Sequence, residues 1–223
     1  VLTQRPNVII DLRDNPGGLL DQAVQMADQF LSKGTIISTR GRHPESFQHY
    51  DATGNDIAAG IPIAVLVNGG TASAAEVVAA ALQDNGRAVV IGTNSYGKGT
   101  VQTVVHLPND GELILTWSRL LAPSGYVLNK LGVMPTLCTA GTKVNVASVI
   151  DYMKRRGSET QALLSRWQAV LAPNLDGLDG LRANCRADKS VREIDYQVAR
   201  NVLGDNITYR QALALAPADL AKR

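Results

Sequence analysis

Three side chains in this sequence have the type and setting to break bonds: Ser73, Lys98 and Gln102. Ser73 closes the run Asn68-Gly69-Gly70-Thr71-Ala72-Ser73, between an apolar strand-like stretch at 61–67 and an alanine-rich segment at 74–82. A strand that passes through glycines into a helix puts that serine beside backbone N–H groups without helical partners. Lys98 stands between Gly97 and Gly99, just past a second apolar run at 88–91. A serine hydroxyl is a weak nucleophile until a base takes its proton. Lysine serves as that base only when neutral, which its ordinary pKa near 10.4 forbids at pH 7. Burial disfavours the ammonium, and the flanking glycines are expected to let the backbone pack closely and turn the side chain inward. Gln102, being neutral, would orient the amine without restoring its proton as a carboxylate would. Taken singly, each residue has a plainer reading. A serine before a helix is commonly an N-cap, and a Gly-Lys-Gly turn a solvated loop.

The wider pattern joins them. Asp11-Leu12-Arg13-Asp14-Asn15-Pro16-Gly17-Gly18 follows an apolar strand and opens an amphipathic helix. Asn68-Gly69-Gly70-Thr71-Ala72-Ser73-Ala74-Ala75-Glu76 comes next, then Tyr96-Gly97-Lys98-Gly99-Thr100-Val101-Gln102, then Gly132-Val133-Met134-Pro135. In this order the motifs resemble the C-terminal processing peptidases, also called tail-specific proteases, over residues 5–137. The resemblance implies Ser73 as nucleophile, Lys98 as general base and Gln102 as the group that positions Lys98. It implies an oxyanion-hole N–H from the pair Gly17 and Gly18, beside the N–H of Ala74. Preorganised donors of that kind are worth roughly 3 kcal/mol of barrier each, and a helix beginning near Gly18 would aim its positive end at the same place. Three positions depart from the family's usual residues: Thr71 and Ala75, where it has Ser, and Thr136, where it has Asp. None of these removes a proposed catalytic group.

The same resemblance implies a serine endopeptidase that cuts proteins near exposed C-termini, in the periplasm or another exported compartment, with a homo-oligomer or an adaptor as possible partners. Family members carry a PDZ domain and further core segments ahead of the Asp-Leu-Arg strand, so this chain is expected to be a piece of a longer precursor. A non-enzymatic alternative is a family-like scaffold that serves in binding or assembly. Retention of Ser73, Lys98 and Gln102 argues against it.

Rival chemistries fare worse on the residues. Gly92-Thr93-Asn94-Ser95-Tyr96-Gly97-Lys98-Gly99 nearly matches a phosphate-binding loop, but that loop must open a helix. The β-branched run at 101–107 reads as a strand instead. Gly-x-Ser-x-Gly fails because Ala75 stands where the second glycine is needed. His43 and His49 fall in a polar stretch at 41–60 expected to be a mobile loop, and His106 ends a strand. No cluster has zinc spacing, so neither a metal nor another cofactor is implied. The 22 basic and 20 acidic residues are well mixed and aromatics make up only 4%, which gives nucleic-acid binding no support. No apolar run approaches a membrane span.

At 223 residues the chain can bury a sizeable core. Strand patterns at 8–12, 35–39, 63–67, 88–91, 101–107 and 113–118 alternate with helical ones at 19–31 and 74–83. Pro108-Asn109-Asp110-Gly111 reads as a hairpin turn. This predicts an α/β fold, a mixed β-sheet core with flanking helices. The division expected is a partial catalytic core at 1–140 and a helical C-terminal extension at 141–223. In the extension, helices are predicted at 146–155, 159–171, 190–203 and 209–215, with a linker at 173–180. Cys138 and Cys185 are open to two readings, a pair of free thiols or one disulfide tying the extension to the core.

Overall fold

A computed structural model describes residues 7–171 and 175–216. Strands buried on both faces need near-continuous apolar runs, and the sequence supplies them at β4 (Ile63–Val67) and β5 (Val89–Gly92), while the edge strand β1 (Val8–Asp11) is apolar up to its exposed Asp11. Together with the two-residue β8 (Leu137–Cys138) they form an all-parallel sheet in the order β1-β4-β5-β8. An antiparallel sheet stands beside it, built from β2 (Thr35–Gly41), β3 (Gln48–Asp51), β6 (Thr100–His106) and β7 (Glu112–Leu121) in the order β3-β2-β7-β6. The mixture of strand directions is thus divided between two sheets.

Helix α2 (Ala74–Asp84) carries the crossover from β4 to the parallel β5, and every one of its residues is buried. The small alanines make this possible, because they let the helix lie close to its neighbours. Ile63, Val65 and Val67 of β4 face α2 and α1 (Leu20–Asp28), in one core that also takes Ile36, Ile37 and Leu120 from the antiparallel sheet. Ala64 and Leu66 alternate to the other face of β4, as strand geometry requires. There they meet Val149 and Met153 of α3 (Val146–Gln168), Val198 and Val202 of α5 (Glu193–Gly204), and Ala212 of α6 (Asn206–Leu213). Each fully buried branched side chain contributes roughly 1.5–3 kcal/mol, so the helices after residue 140 are firmly held to the sheet. Among the described residues no helix is long and apolar enough to cross a membrane.

Several local expectations are corrected. The stretch at 41–60 is not a free loop, since β3 forms there and pairs with β2. Its residues Gln48, His49, Tyr50 and Asp51 lack an apolar pattern because β3 is an edge strand, mostly exposed. The helices expected at 146–155 and 159–171 are one element, α3, with a break in helical geometry at Arg156 (φ −127°). The expected linker at 173–180 is helical from Leu175, as part of α4 (Leu175–Arg182), while residues 173–174 lie outside the described residues. Cys138 and Cys185 form a disulfide, joining β8 to the turn after α4.

Candidate active site

Three turns converge at the edge of the parallel sheet. The first, at 12–18, leaves β1. The second, at 68–73, leaves β4 and enters α2. The third, at 92–99, leaves β5 and enters β6. Ligand sites of open α/β sheets lie just beyond the carboxyl ends of parallel strands, and all three turns are there.

Ser73 is the N-cap of α2 with φ +57° and ψ −121°, a backbone conformation that an L-residue rarely holds. Such strain persists only where the surroundings over-determine it. Here they do. The Ser73 N–H donates to Glu76 Oε2 at 2.8 Å, and Ala72 donates to the carbonyl of Asn15 at 2.9 Å. Gly17 (φ +93°) packs directly against the turn: a Cβ there would lie 2.6 Å from the Ala72 oxygen and 2.7 Å from the Ala74 nitrogen. Only glycine fits.

Glu76 organises the third turn as well. Its side chain is fully buried, and its Oε1 accepts from the Ser95 hydroxyl at 2.5 Å and the Gly97 N–H at 2.7 Å. Its Oε2 accepts from the Lys98 N–H at 2.8 Å as well as from Ser73. One carboxylate therefore ties the backbone of Ser73 to the backbone of Lys98. Burial pushes its pKa up from the ordinary 4.5, against the pull of the four hydrogen bonds. Sequence reading passed over this residue as part of a motif, although Ser-x-x-Glu at a helix start is the capping-box signature that would have found it.

Ser73, Lys98, Gln102, Gly18 and Ala74 line one pocket of about 310 Å³, with Leu19, Leu20, Thr100, Val101 and Leu120 completing the wall. Gln102 follows a bulge in the β6–β7 pairing at Val101/Gln102, a device that re-aims a side chain. Ala74 is the first residue of α2, so its N–H has no intrahelical acceptor. The Gly17 N–H is already given to Asn15 Oδ1 at 2.9 Å, and of the pair it is Gly18 that lines the pocket. Helix α1 begins at Leu20, two residues beyond the expected start near Gly18. Lys98 departs from expectation in its burial, since the side chain is exposed. Its flanking glycines serve the backbone instead: a Cβ on Gly99 would lie 2.1 Å from the Asn129 nitrogen, and one on Gly97 would lie 2.9 Å from the Lys130 carbonyl carbon. The glycines seat the turn against residues 128–132 and leave the side chain to the pocket.

The rival sites fall away from this place. The run at 92–99 leads into a strand, β6, and not into a helix. His106 stands at the far end of β6 beside Glu112 at 3.5 Å, with a side chain 80% exposed. His49 lies on β3 against Ser38 and Asp51, and His43 caps a short 3-10 turn.

Residues 2–138 match the description Peptidase family S41. The chain belongs to that family. A carboxy-terminal-processing protease of Bartonella bacilliformis is 50% identical over 129 residues, which cover 58% of this chain and 30% of that protein. A carboxyl-terminal-processing protease of a Picosynechococcus strain is 42% identical over 127 residues, covering 57% and 30%. Among solved structures, the photosystem II D1 C-terminal processing protease superposes with a TM-score of 0.53 at 38% identity, over 57% of this chain and 33% of that one. The chain therefore spans about 30% of the length of these curated relatives. The S41 match ends at Cys138, so helices α3–α6 all lie beyond it.

Proposed function

We propose that this chain carries the catalytic centre of a serine endopeptidase that cuts protein substrates near their C-termini, with Ser73 and Lys98 as its reacting pair. The observation that carries the reading is the shared pocket: a strained serine at the start of a buried helix, a lysine from the next turn and a glutamine from the adjoining strand line one cavity. In this reading substrate closes over the exposed Lys98 side chain and shields it from water. Ser73 Oγ then attacks the scissile carbonyl carbon while Lys98 Nζ, as the free amine, takes its proton. Gly18 and Ala74, with Gly17 pressed behind them, hold the charge that develops on the carbonyl oxygen. The C–N bond then breaks, Lys98 returns the proton to the leaving amine, and water clears the acyl-serine by the same route in reverse. Gln102 keeps the amine directed at Ser73 without adding a charge. The whole protein would act in the periplasm or another exported compartment, with substrate C-termini recruited by a PDZ domain, as its family resemblance implies.

The test uses the whole protein and a peptide substrate. Ser73→Ala and Lys98→Ala are each expected to abolish turnover with the fold retained. Lys98→Arg should fail too, because a guanidinium stays protonated and cannot act as base. Gln102→Ala should leave weak activity. Full activity in Lys98→Arg would overturn the pair.

A further inference from the structure

Two of the three turns of the pocket are braced from outside the region that matches family S41. From the last residue of α4 onward, residues 182–190 form a strap against the turns that lead to Ser73 and to Lys98. The Gly69 N–H donates to the Asp188 carbonyl at 2.7 Å, and Asn68 Nδ2 donates to the Lys189 carbonyl at 2.9 Å, so the strap holds the turn that leads to Ser73. Gly69 is tight against it, since a Cβ there would meet the Asp188 carbonyl carbon at 3.1 Å. Asn94 Nδ2 donates to the Arg182 carbonyl at 2.9 Å, the Asp188 N–H donates to Thr93 Oγ1 at 3.1 Å, and Lys189 lies over the Tyr96 ring at 5.9 Å. These contacts hold the turn that leads to Lys98. Cys185, disulfide-bonded to Cys138, anchors the strap at β8.

Arg182 makes the contact nearest the chemistry. Its guanidinium donates to the Ser95 carbonyl at 2.9 Å and to the Leu131 carbonyl. Ser95 is the residue whose hydroxyl bonds Glu76, and Leu131 precedes Gly132, where a Cβ would lie 2.6 Å from Ser95 Oγ and 3.1 Å from the Gly97 nitrogen. A planar fork of donors spanning two carbonyls fixes their separation as well as their direction, which a single ammonium cannot do. Among the described residues Arg182 makes no ion pair, and it acts on Glu76 only through space. A surface arginine kept for solubility would be turned to water or to a carboxylate.

We propose that Arg182 is a positioning residue for the Ser73–Lys98 pair, setting the Lys98 turn through the carbonyls of Ser95 and Leu131, so that the strap beyond the S41 match is a working part of the active site. The inference rests on the peptidase reading above.

The experiment compares Arg182→Met and Arg182→Lys with wild type in the whole protein. Active sites are counted by labelling with a fluorophosphonate, a reagent for activated serines, and thermal unfolding is followed in parallel. Two charge-assisted hydrogen bonds are lost in the methionine variant, so kcat per labelled site is expected to fall about 10- to 100-fold with KM little changed. The lysine variant should recover part of that loss, since its ammonium can still reach one carbonyl. The rate of fluorophosphonate labelling should fall in step with kcat, a change that a smaller folded fraction would not produce. If kcat per labelled site in Arg182→Met stays within about twofold of wild type, the positioning role is wrong. Equal losses in the lysine and methionine variants would mean that both carbonyls must be held at once, as proposed, whereas wild-type activity in Arg182→Lys would show that one donor suffices and would overturn the fork. Ser73→Ala, run alongside, separates the two claims. Turnover that survives in Ser73→Ala refutes the peptidase reading itself, whatever Arg182 does.

Discussion

Replacing Glu76 by glutamine keeps the length of the side chain but exchanges one acceptor oxygen for an NH₂ donor. Each carboxylate oxygen of Glu76 accepts two hydrogen bonds, Oε1 from Ser95 and Gly97 and Oε2 from Ser73 and Lys98. Whichever oxygen is replaced, two donors lose their acceptor inside a buried site. Buried hydrogen bonds to a charged partner are worth about 1.5–3 kcal/mol each. Removing the charge returns part of this, because burial opposes the ionised form and raises the pKa of Glu76. A net destabilisation of about 2–4 kcal/mol is expected, or roughly 5–12 °C in Tm for a unit of this size. Loss of the shared anchor also lets the Ser73 and Lys98 turns move apart, and a shift of about 1 Å at reacting groups costs on the order of 100-fold in rate. The pH dependence has a fixed sign. A carboxyl group whose folded pKa is raised contributes most below its unfolded value, and that contribution is lost as pH rises through the folded value. The Tm gap between wild type and Glu76→Gln should therefore be wider near about pH 4 than near about pH 8. Thermal unfolding across pH and steady-state peptide hydrolysis measure both effects. A variant with Tm within about 2 °C of wild type and kcat within about threefold would refute the view that one carboxylate holds both turns.

Gly17→Ala forces a Cβ to within 2.6 Å of the Ala72 oxygen at φ +93°; hydrolysis assays should show a loss on the order of 100-fold or more, and activity near wild type would mean that the Gly17 approach is not needed. Ser73→Gly and Ser73→Ala should both be inactive, yet glycine adopts φ +57° without strain, so calorimetry should find Ser73→Gly the more stable by about 1 kcal/mol. Serine at both Cys138 and Cys185 opens a bridge between residues 47 apart, which should cost about 4 kcal/mol by the loop-entropy relation. Its Tm should drop by roughly 8–16 °C, and an unchanged Tm would show that the strap is held by its hydrogen bonds alone.

Much of this was legible in the residues. Apolar runs bounded by glycine turns gave β1, β4 and β5, and an alanine-rich segment after Ser73 gave α2; for β4, β5 and α2, burial on all sides leaves little choice of composition. The turn residues Gly17, Gly69, Gly97 and Gly99 stood out because close backbone approach tolerates no Cβ. What stayed hidden depends on partners far apart in sequence. Edge strand β3 has no apolar face to announce it, and β8 is two residues long. The exposure of Lys98 follows from where its glycines pack, against residues 128–132, which no local pattern reveals. Arg182 falls in no motif, between the expected linker at 173–180 and the helix expected at 190–203. Its partners, the Ser95 and Leu131 carbonyls, are backbone atoms that carry no sequence signature.

The long reach of the strap also sets an order in time. The hydrogen bond from Asn68 to Lys189 joins positions 121 apart, and that from Asn94 to Arg182 joins positions 88 apart. A ribosome adds about 5–20 residues per second, so Ser73 is made several seconds before the residues that brace its turn. During that interval the serine turn, the lysine turn and Glu76 exist on the growing chain without their outer support. If the strap positions the pair as proposed, a half-made copy would be a poor catalyst, and competence would arrive only once the segment through Ser190 has been synthesised and seated. For a molecule proposed to cut other proteins, that delay protects its neighbours, and itself, from an unfinished blade.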